Sequence, residues 1–356
     1  MSKTTKIIIG IFIVAVTVLG IFNLRNYRLP QSNQLIKVGV IAPLSGENAA
    51  IGEGIKNGIL LASAKYKNRI LVIFEDDQFI TRIGITAFNK LINIDKVDAV
   101  INITPGVADA ITPILKQHPL PVIQIAEPGV NQDDTIFQIM PSGAALYTAL
   151  GEIAKKEYAS IAFVYLNNPT FEKAAQAFKK SFGVKAELIP INQGTDYRSI
   201  IAKIISKKFN AITLASSPSS GVPFIKQFFE LNAGSNIKLL CNGDFQVTIS
   251  DYLKAVSPSV FEGCKSTFFA SNTSDAFKIQ YKETYGTETT FASDYAYDAL
   301  DLLVSTHSTD LNSWIDNIKL FNGVGVSGNI MFDKDGVRLP EIEVDQFQNG
   351  KFVEIK

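Results

Sequence analysis

The sequence has little of what catalysis usually needs. Histidine occurs twice, as His118 and His307, and neither stands near a candidate nucleophile or near a second ligand at metal-binding spacing. There is no G-x-S-x-G elbow, no P-loop and no G-x-G-x-x-G after a strand. The partial glycine spacing of Gly52-Glu53-Gly54 falls inside a predicted helix, where it serves packing. The acid pairs Asp76-Asp77 and Asp133-Asp134 read as solvated turns, because adjacent carboxylates point in different directions. No enzymatic activity, cofactor or metal is expected. Acidic and basic residues balance at 34 each, so no net field favours nucleic acid, and no nucleic-acid partner is expected.

What is present is an ordinary globular composition, 46% hydrophobic and 19% charged, over 356 residues. A single core stops growing at roughly 250–300 residues, so two lobes are expected. The exception to the bland pattern is residues 7–22, an almost wholly apolar run behind Lys3 and Lys6. It ends in Gly20-Ile21-Phe22-Asn23, a poor cleavage site, and no cysteine follows for a lipid anchor. We read an uncleaved signal anchor with residues 26–34 as a polar tether, and the body outside the cytoplasm. Secretion after signal cleavage is the alternative. Outside the cytoplasm Cys241 and Cys264, both beside strand-like stretches, have two open states: a disulfide or two buried thiols.

From Leu35 short β-branched runs alternate with amphipathic stretches, the pattern of βα units on a parallel sheet. Strands are predicted at 36–41, 70–75, 99–103 and 122–125, with helices at 49–66, 83–94 and 107–117. After Pro141 the pattern restarts, with strands at 160–165, 186–191, 211–215 and 237–241 and helices at 146–158, 171–182, 197–207 and 222–232. Two α/β lobes in series imply a cleft between them, bordered by the loops that follow the strands.

The run Ile36-Lys37-Val38-Gly39-Val40-Ile41-Ala42-Pro43-Leu44-Ser45-Gly46, then Gly52-Glu53 and Gly58, resembles the opening of the branched-chain amino-acid-binding proteins. These are type I periplasmic binding proteins that serve ABC transporters. Tyr295-Ala296-Tyr297-Asp298-Ala299-Leu300, Phe321-Asn322-Gly323-Val324, Gly328, Phe332-Asp333, Gly336 and Gly350-Lys351-Phe352 are similar to its ending. The resemblance implies two doubly wound Rossmann-like lobes, residues 36–141 plus 273–327 and residues 142–272 plus 328–356, joined by a three-crossing hinge. It implies a small-molecule ligand and an ABC transporter permease as partners, with the membrane reached through the N-terminal helix. A membrane-tethered sensor or assembly factor of the same fold is the alternative.

The resemblance also assigns positions around the cleft. Ser45 borders the entrance, or simply caps the helix that follows. Thr104 and Gly106 occupy a loop that holds a ligand carboxylate in the family, and a hydroxyl with free N–H groups at a helix start suits an anion. Here Pro105 and Gly106 stand near the family's serines. Gly129 and Asn131 fall on the next ligand loop, although Pro128-Gly129 makes a turn unaided, and Glu127 beside them offers a carboxylate for a cationic group. On the second lobe Thr170 and Phe171 lie at a stacking position. Ser216, Ser217 and Ser219 replace an aromatic, which predicts a roomier or more polar pocket unless the loop is merely exposed. Asp244 falls on the acid that pairs with a ligand ammonium, although aspartate is also common in turns.

Overall fold

The computed structural model describes residues 35–127, 133–232, 236–270 and 272–355. The expected anchor at 7–22, its tether at 26–34, and the site candidates Gly129 and Asn131 lie outside the described residues. No helix among the described residues is long and apolar enough to cross a membrane.

The first unit alternates as expected: β1 (Ile36–Ala42), α1 (Ala49–Ser63), β2 (Ile70–Asp76), α2 (Thr81–Lys90), β3 (Ala99–Asn102), α3 (Pro105–Leu115), β4 (Val122–Gln124) and β5 (Ile136–Gln138). These strands form one parallel sheet in the order β2-β1-β3-β4-β5. The register pairs Val38 with both Val72 and Ala99, and Val122 with Ile136. Strand β5 is absent from the sequence reading, because three residues behind Asp133-Asp134-Thr135 give no periodic signal.

The second unit comprises α4 (Gly143–Glu157), β6 (Ile161–Leu166), α5 (Pro169–Phe182), β7 (Ala186–Ile191), α6 (Arg198–Ser206), β8 (Ala211–Ala215), α7 (Pro218–Leu231), β9 (Lys238–Leu239) and α8 (Gly243–Leu253). Its parallel sheet runs β7-β6-β8-β9. Five helices begin earlier than predicted, three of them at Pro105, Pro169 and Pro218, because proline lacks the N–H that a first helical residue leaves unused. Strand β10 (Lys265–Phe269) then leads back to α9 (Asp275–Tyr285), α10 (Ser293–Ser305) and α11 (Leu311–Lys319). The hairpin β11 (Asn322–Gly325) and β12 (Gly328–Met331) follows, and β13 (Ile342–Gln348) pairs with β10 and with β14 (Lys351–Glu354).

Both sheets are buried on both faces, which explains strands that read as continuous apolar runs. One face of the first sheet (Val38, Val40, Ile101, Ile123) packs with Ile55 and Ile59 of α1 and Leu300 and Leu303 of α10. The other face (Ile41, Val100, Val122) packs with Phe88 of α2 and Val107 and Ile111 of α3. The second sheet is covered by Tyr147, Leu150 and Phe178 on one face and by Ile201, Phe224, Phe228 and Phe245 on the other. Cys241 and Cys264 are joined by a disulfide inside this second core, with Cα atoms 5.6 Å apart.

Candidate functional site

Parallel strands deliver their following loops to one end of each sheet, and amide side chains fix those loops on the first lobe. Asn102, Gln124 and Gln138 are each the last residue of a strand and each is buried. Asn102 donates to the Thr104 carbonyl at 2.9 Å and to Gln124 Oε1 at 2.6 Å. Gln124 donates to the carbonyls of Ile103 (3.1 Å) and Ala126 (2.8 Å), and Gln138 to that of Met140 (2.6 Å). Each amide replaces the ladder partner that its loop has lost, so the loops are pinned rather than free.

Ser45 does not cap α1, as one reading expected: the N-cap position is Asn48. Its hydroxyl instead donates to Asp76 Oδ2 at 2.5 Å, while the amides of Leu44 and Gln78 donate to Asp76 Oδ1 at 2.8 and 3.0 Å. Asp76 thus ties the loop after β1 to the loop after β2, and these bonds hold its pKa below the ordinary value although its burial acts the other way.

Thr104 is the N-cap residue of α3 and 3% exposed, and its hydroxyl lies against the Asp77 carboxylate. Beside it Asp77 is fully buried, and burial raises its pKa. Gly106 has a packing reason for lacking a side chain, since a Cβ there would meet Thr81 Oγ1 at 2.3 Å.

Glu127 is already engaged. It accepts from the Ser142 hydroxyl at 2.6 Å, from the Gly143 amide at 2.9 Å and from Lys173 Nζ at 2.5 Å. Ser142 caps α4, so this carboxylate sits at a helix start, where the dipole favours it. Lys173 belongs to α5, so the loop after β4 of the first sheet meets the helix after β6 of the second. The ends that carry the candidate loops therefore face one another.

On the second lobe Asn168 and Asn242 set the geometry. Asn168 accepts from the Phe171 amide at 3.0 Å and caps α5, which leaves Thr170 exposed in the first turn. Phe171 is half-buried against the Tyr147–Phe178 core, so its ring packs inward. Asn242 accepts from the Phe245 amide at 3.2 Å and donates to the Leu214 carbonyl at 2.8 Å. Such a cap stabilises a helix by about 1 kcal/mol. It also places Asp244 in the first turn of α8, where Tyr147 donates to its Oδ2 at 2.6 Å. Burial pushes the Asp244 pKa up, and the Tyr147 bond opposes that. Ser217 is the N-cap residue of α7, and its hydroxyl pairs with that of Ser219 at 3.0 Å.

Sequence reasoning missed Lys173 and Tyr147, and it took Asp76 for part of a solvated turn although it ties two loops and its neighbour Asp77 is buried. Only their neighbours in space reveal them, and those lie 46, 31 and 97 residues away. A cavity of about 1020 Å3 is at the opposite end of the first lobe, lined by Leu35, Arg69, Lys96, His118, His307 and Trp314. None of the loops after the strands reaches it. No group of three or more His, Cys, Asp or Glu among the described residues could hold a metal.

Residues 35–308 match the sequence profile of a family described as Periplasmic binding protein. The chain belongs to that family. Its periplasmic-binding-protein fold of type I is shared with solved structures whose identity is near one fifth. An ABC transporter substrate-binding protein from Sphaerobacter thermophilus aligns with a TM-score of 0.71 at 19% identity, over 90% of this chain and 96% of the other. A leucine-binding protein, LivK, from Thermotoga maritima gives 0.65 at 20%, over 90% and 98%. An ABC transporter solute-binding protein from R. palustris, solved with benzoate, gives 0.62 at 21%, over 90% and 95%.

A buried cation, Arg338, gathers segments of this binding protein that are far apart in sequence. Arg338 is 4% exposed. It donates to the carbonyls of Asn329 (2.9 Å), Ser327 (2.9 Å) and Ile139 (3.4 Å) and to the Ser327 hydroxyl (2.7 Å). That hydroxyl donates to Asp298 Oδ2 at 2.5 Å, and the amides of Val326 and Ser327 donate to the same carboxylate at 2.8 Å each. Asp298 is 1% exposed, and burial raises its pKa to about 6 against the pull of these bonds and of Arg338. Glu341 accepts from both Asn272 and Asn329.

Proposed function

We propose that this chain is an extracytoplasmic solute-binding protein that closes around a small polar ligand, an amino acid or a related amide or carboxylate, and hands it to an ABC transporter permease. The observation that carries this reading is the 2.5 Å ion pair between Glu127 and Lys173, which joins the loop after β4 of the first sheet to the helix after β6 of the second. In this reading Thr104, Gly106, Gly129 and Asn131 hold the ligand's carboxylate end and Asp244 its cationic end. Ser45, Glu127, Thr170, Phe171 and Ser217 border the entrance. A cleft that closes gains most when each lobe holds one pole, because only the closed form satisfies both.

The lobes would pivot on three passages, near residues 139–142, 270–274 and 339–342. In this reading the third passage is taken after residue 328, and two observations support that choice: Gly328–Met331 pairs with β11, and the Arg338 amide donates to the Gln138 carbonyl at 2.9 Å. The disulfide supports an oxidising compartment. The test is a thermal-shift screen of the purified full chain with amino acids, amides and small carboxylates. A ligand at a hundred times its dissociation constant adds about 2.7 kcal/mol of stability. A screen in which no such compound stabilises the chain would contradict the reading.

A further inference from the structure

We infer that the cavity at the entering end of the first sheet is a second binding site, separate from the cleft, and that it takes an anion carrying a phosphate group. The inference does not rest on the solute-binding reading above. The cavity, about 1020 Å3, is walled by the segments that run into β1, β2, β3 and β4 and by the turn between α10 and α11. Its volume is near the upper end of the roughly 300–1,000 Å3 usual for ligand pockets.

Four basic side chains from four of these segments line it: Arg69 ahead of β2, Lys96 ahead of β3, His118 ahead of β4 and His307 behind α10. None of the four makes a side-chain hydrogen bond or an ion pair with a described residue. Cations after helices often cap the last carbonyls, but these do not. The Arg69 guanidinium lies over the Tyr66 ring, 5.8 Å from its centre, a contact that uses none of its N–H groups. One carboxylate, Asp98, lines the same cavity, and it already accepts from the Lys37 amide at 2.8 Å. Two cations less one carboxylate leave the lining at +1 with neutral histidines and at +3 with both protonated. Concave walls of one sign focus the field on an anion. A guanidinium matches two phosphate oxygens at once, and a lysine adds a point charge. The chain's own preceding segment is a poor occupant by charge, since residues 1–34 hold Lys3, Lys6, Arg25 and Arg28 and no acid.

Trp314, the single tryptophan, also lines the cavity, edge-on to His307 with ring centres 4.7 Å apart, and so reports occupancy. Trp314 fluorescence and calorimetry on the full chain in neutral detergent test the site with glycerol 3-phosphate, with micelle-dispersed phosphatidylglycerol, and with zwitterionic phosphatidylcholine as control. One of the two anionic probes should bind saturably and at least about tenfold tighter than the control. Which of them binds tighter tells a free phosphate from a lipid headgroup. The double variant Arg69→Gln, Lys96→Gln should weaken that binding at least about tenfold, because two charge-assisted contacts are lost. Both side chains are exposed, so the ligand-free Tm should hold. Lys96→Gln alone, should the pair not fold, should weaken binding at least about threefold. No saturable binding of either anionic probe overturns the site, and so does binding that these variants leave unchanged. Neither result touches the cleft, which the thermal-shift screen judges separately.

Discussion

Replacing Arg338 with methionine removes the buried cation while keeping most of its volume. Two buried residues, Ile139 and Ser327, and the exposed Asn329 lose a donor to their backbone carbonyls, and Asp298 loses its nearby positive charge. The adjoining cavity, about 10 Å3, has room for one water at most, so solvent cannot replace a forked guanidinium. Each orphaned buried acceptor costs about 1–3 kcal/mol, but shedding the cost of burying the charge offsets part of that sum. We expect a net loss of about 3–5 kcal/mol, the range for breaking a buried charge network. Urea unfolding followed by circular dichroism measures it, with the slope against urea unchanged. Arg338→Lys should recover less than half, because an ammonium cannot reach several carbonyls in one plane. A loss below about 1 kcal/mol in the methionine variant would refute the claim that this residue holds these segments together.

Other consequences are as direct. Asp244→Asn keeps the shape and the Tyr147 bond but removes the charge, so affinity for an amine-bearing ligand should fall by about 1.5–3 kcal/mol in calorimetry. Unaltered affinity would mean that Asp244 does not hold the ligand's cation. Replacing Cys241 and Cys264 together by alanine opens a loop of 23-residue separation and should cost about 3 kcal/mol in urea unfolding. Asp298 has a folded pKa near 6, above its ordinary 3.8. Its contribution to stability is therefore full below about pH 4 and is lost as pH rises through about 6. Asp298→Asn should remove that segment of the pH profile, and an identical profile in the variant would contradict the assignment.

Much of the architecture was legible because buried parallel strands and amphipathic helices leave long periodic signals, as in residues 36–63. Short or capped elements were not. Strand β5 has three residues, and α8 was not predicted, because Asn242-Gly243-Asp244 is loop-like chemistry that here starts a helix. Helix starts were misplaced where proline opens the first turn. At the site, loops could be ordered along the chain, but partners could not. Glu127 looked like a free carboxylate until Lys173, Ser142 and Gly143 were found around it. Ser45 looked like a cap, yet Asp76 claims its hydroxyl. Charge and hydroxyl content can be read locally. Whether a group is already satisfied depends on residues far away in sequence.

The central claim, closure of two lobes around a ligand, is tested most directly by fluorescence transfer across the cleft. Both native cysteines are in the disulfide, so Glu47→Cys and Val247→Cys, each at an exposed position near the cleft end of a different lobe, can be labelled selectively. Saturating the labelled chain with the best ligand from the thermal-shift screen should raise transfer efficiency, with the same half-saturation as calorimetry. Saturated binding with unchanged transfer would contradict the account.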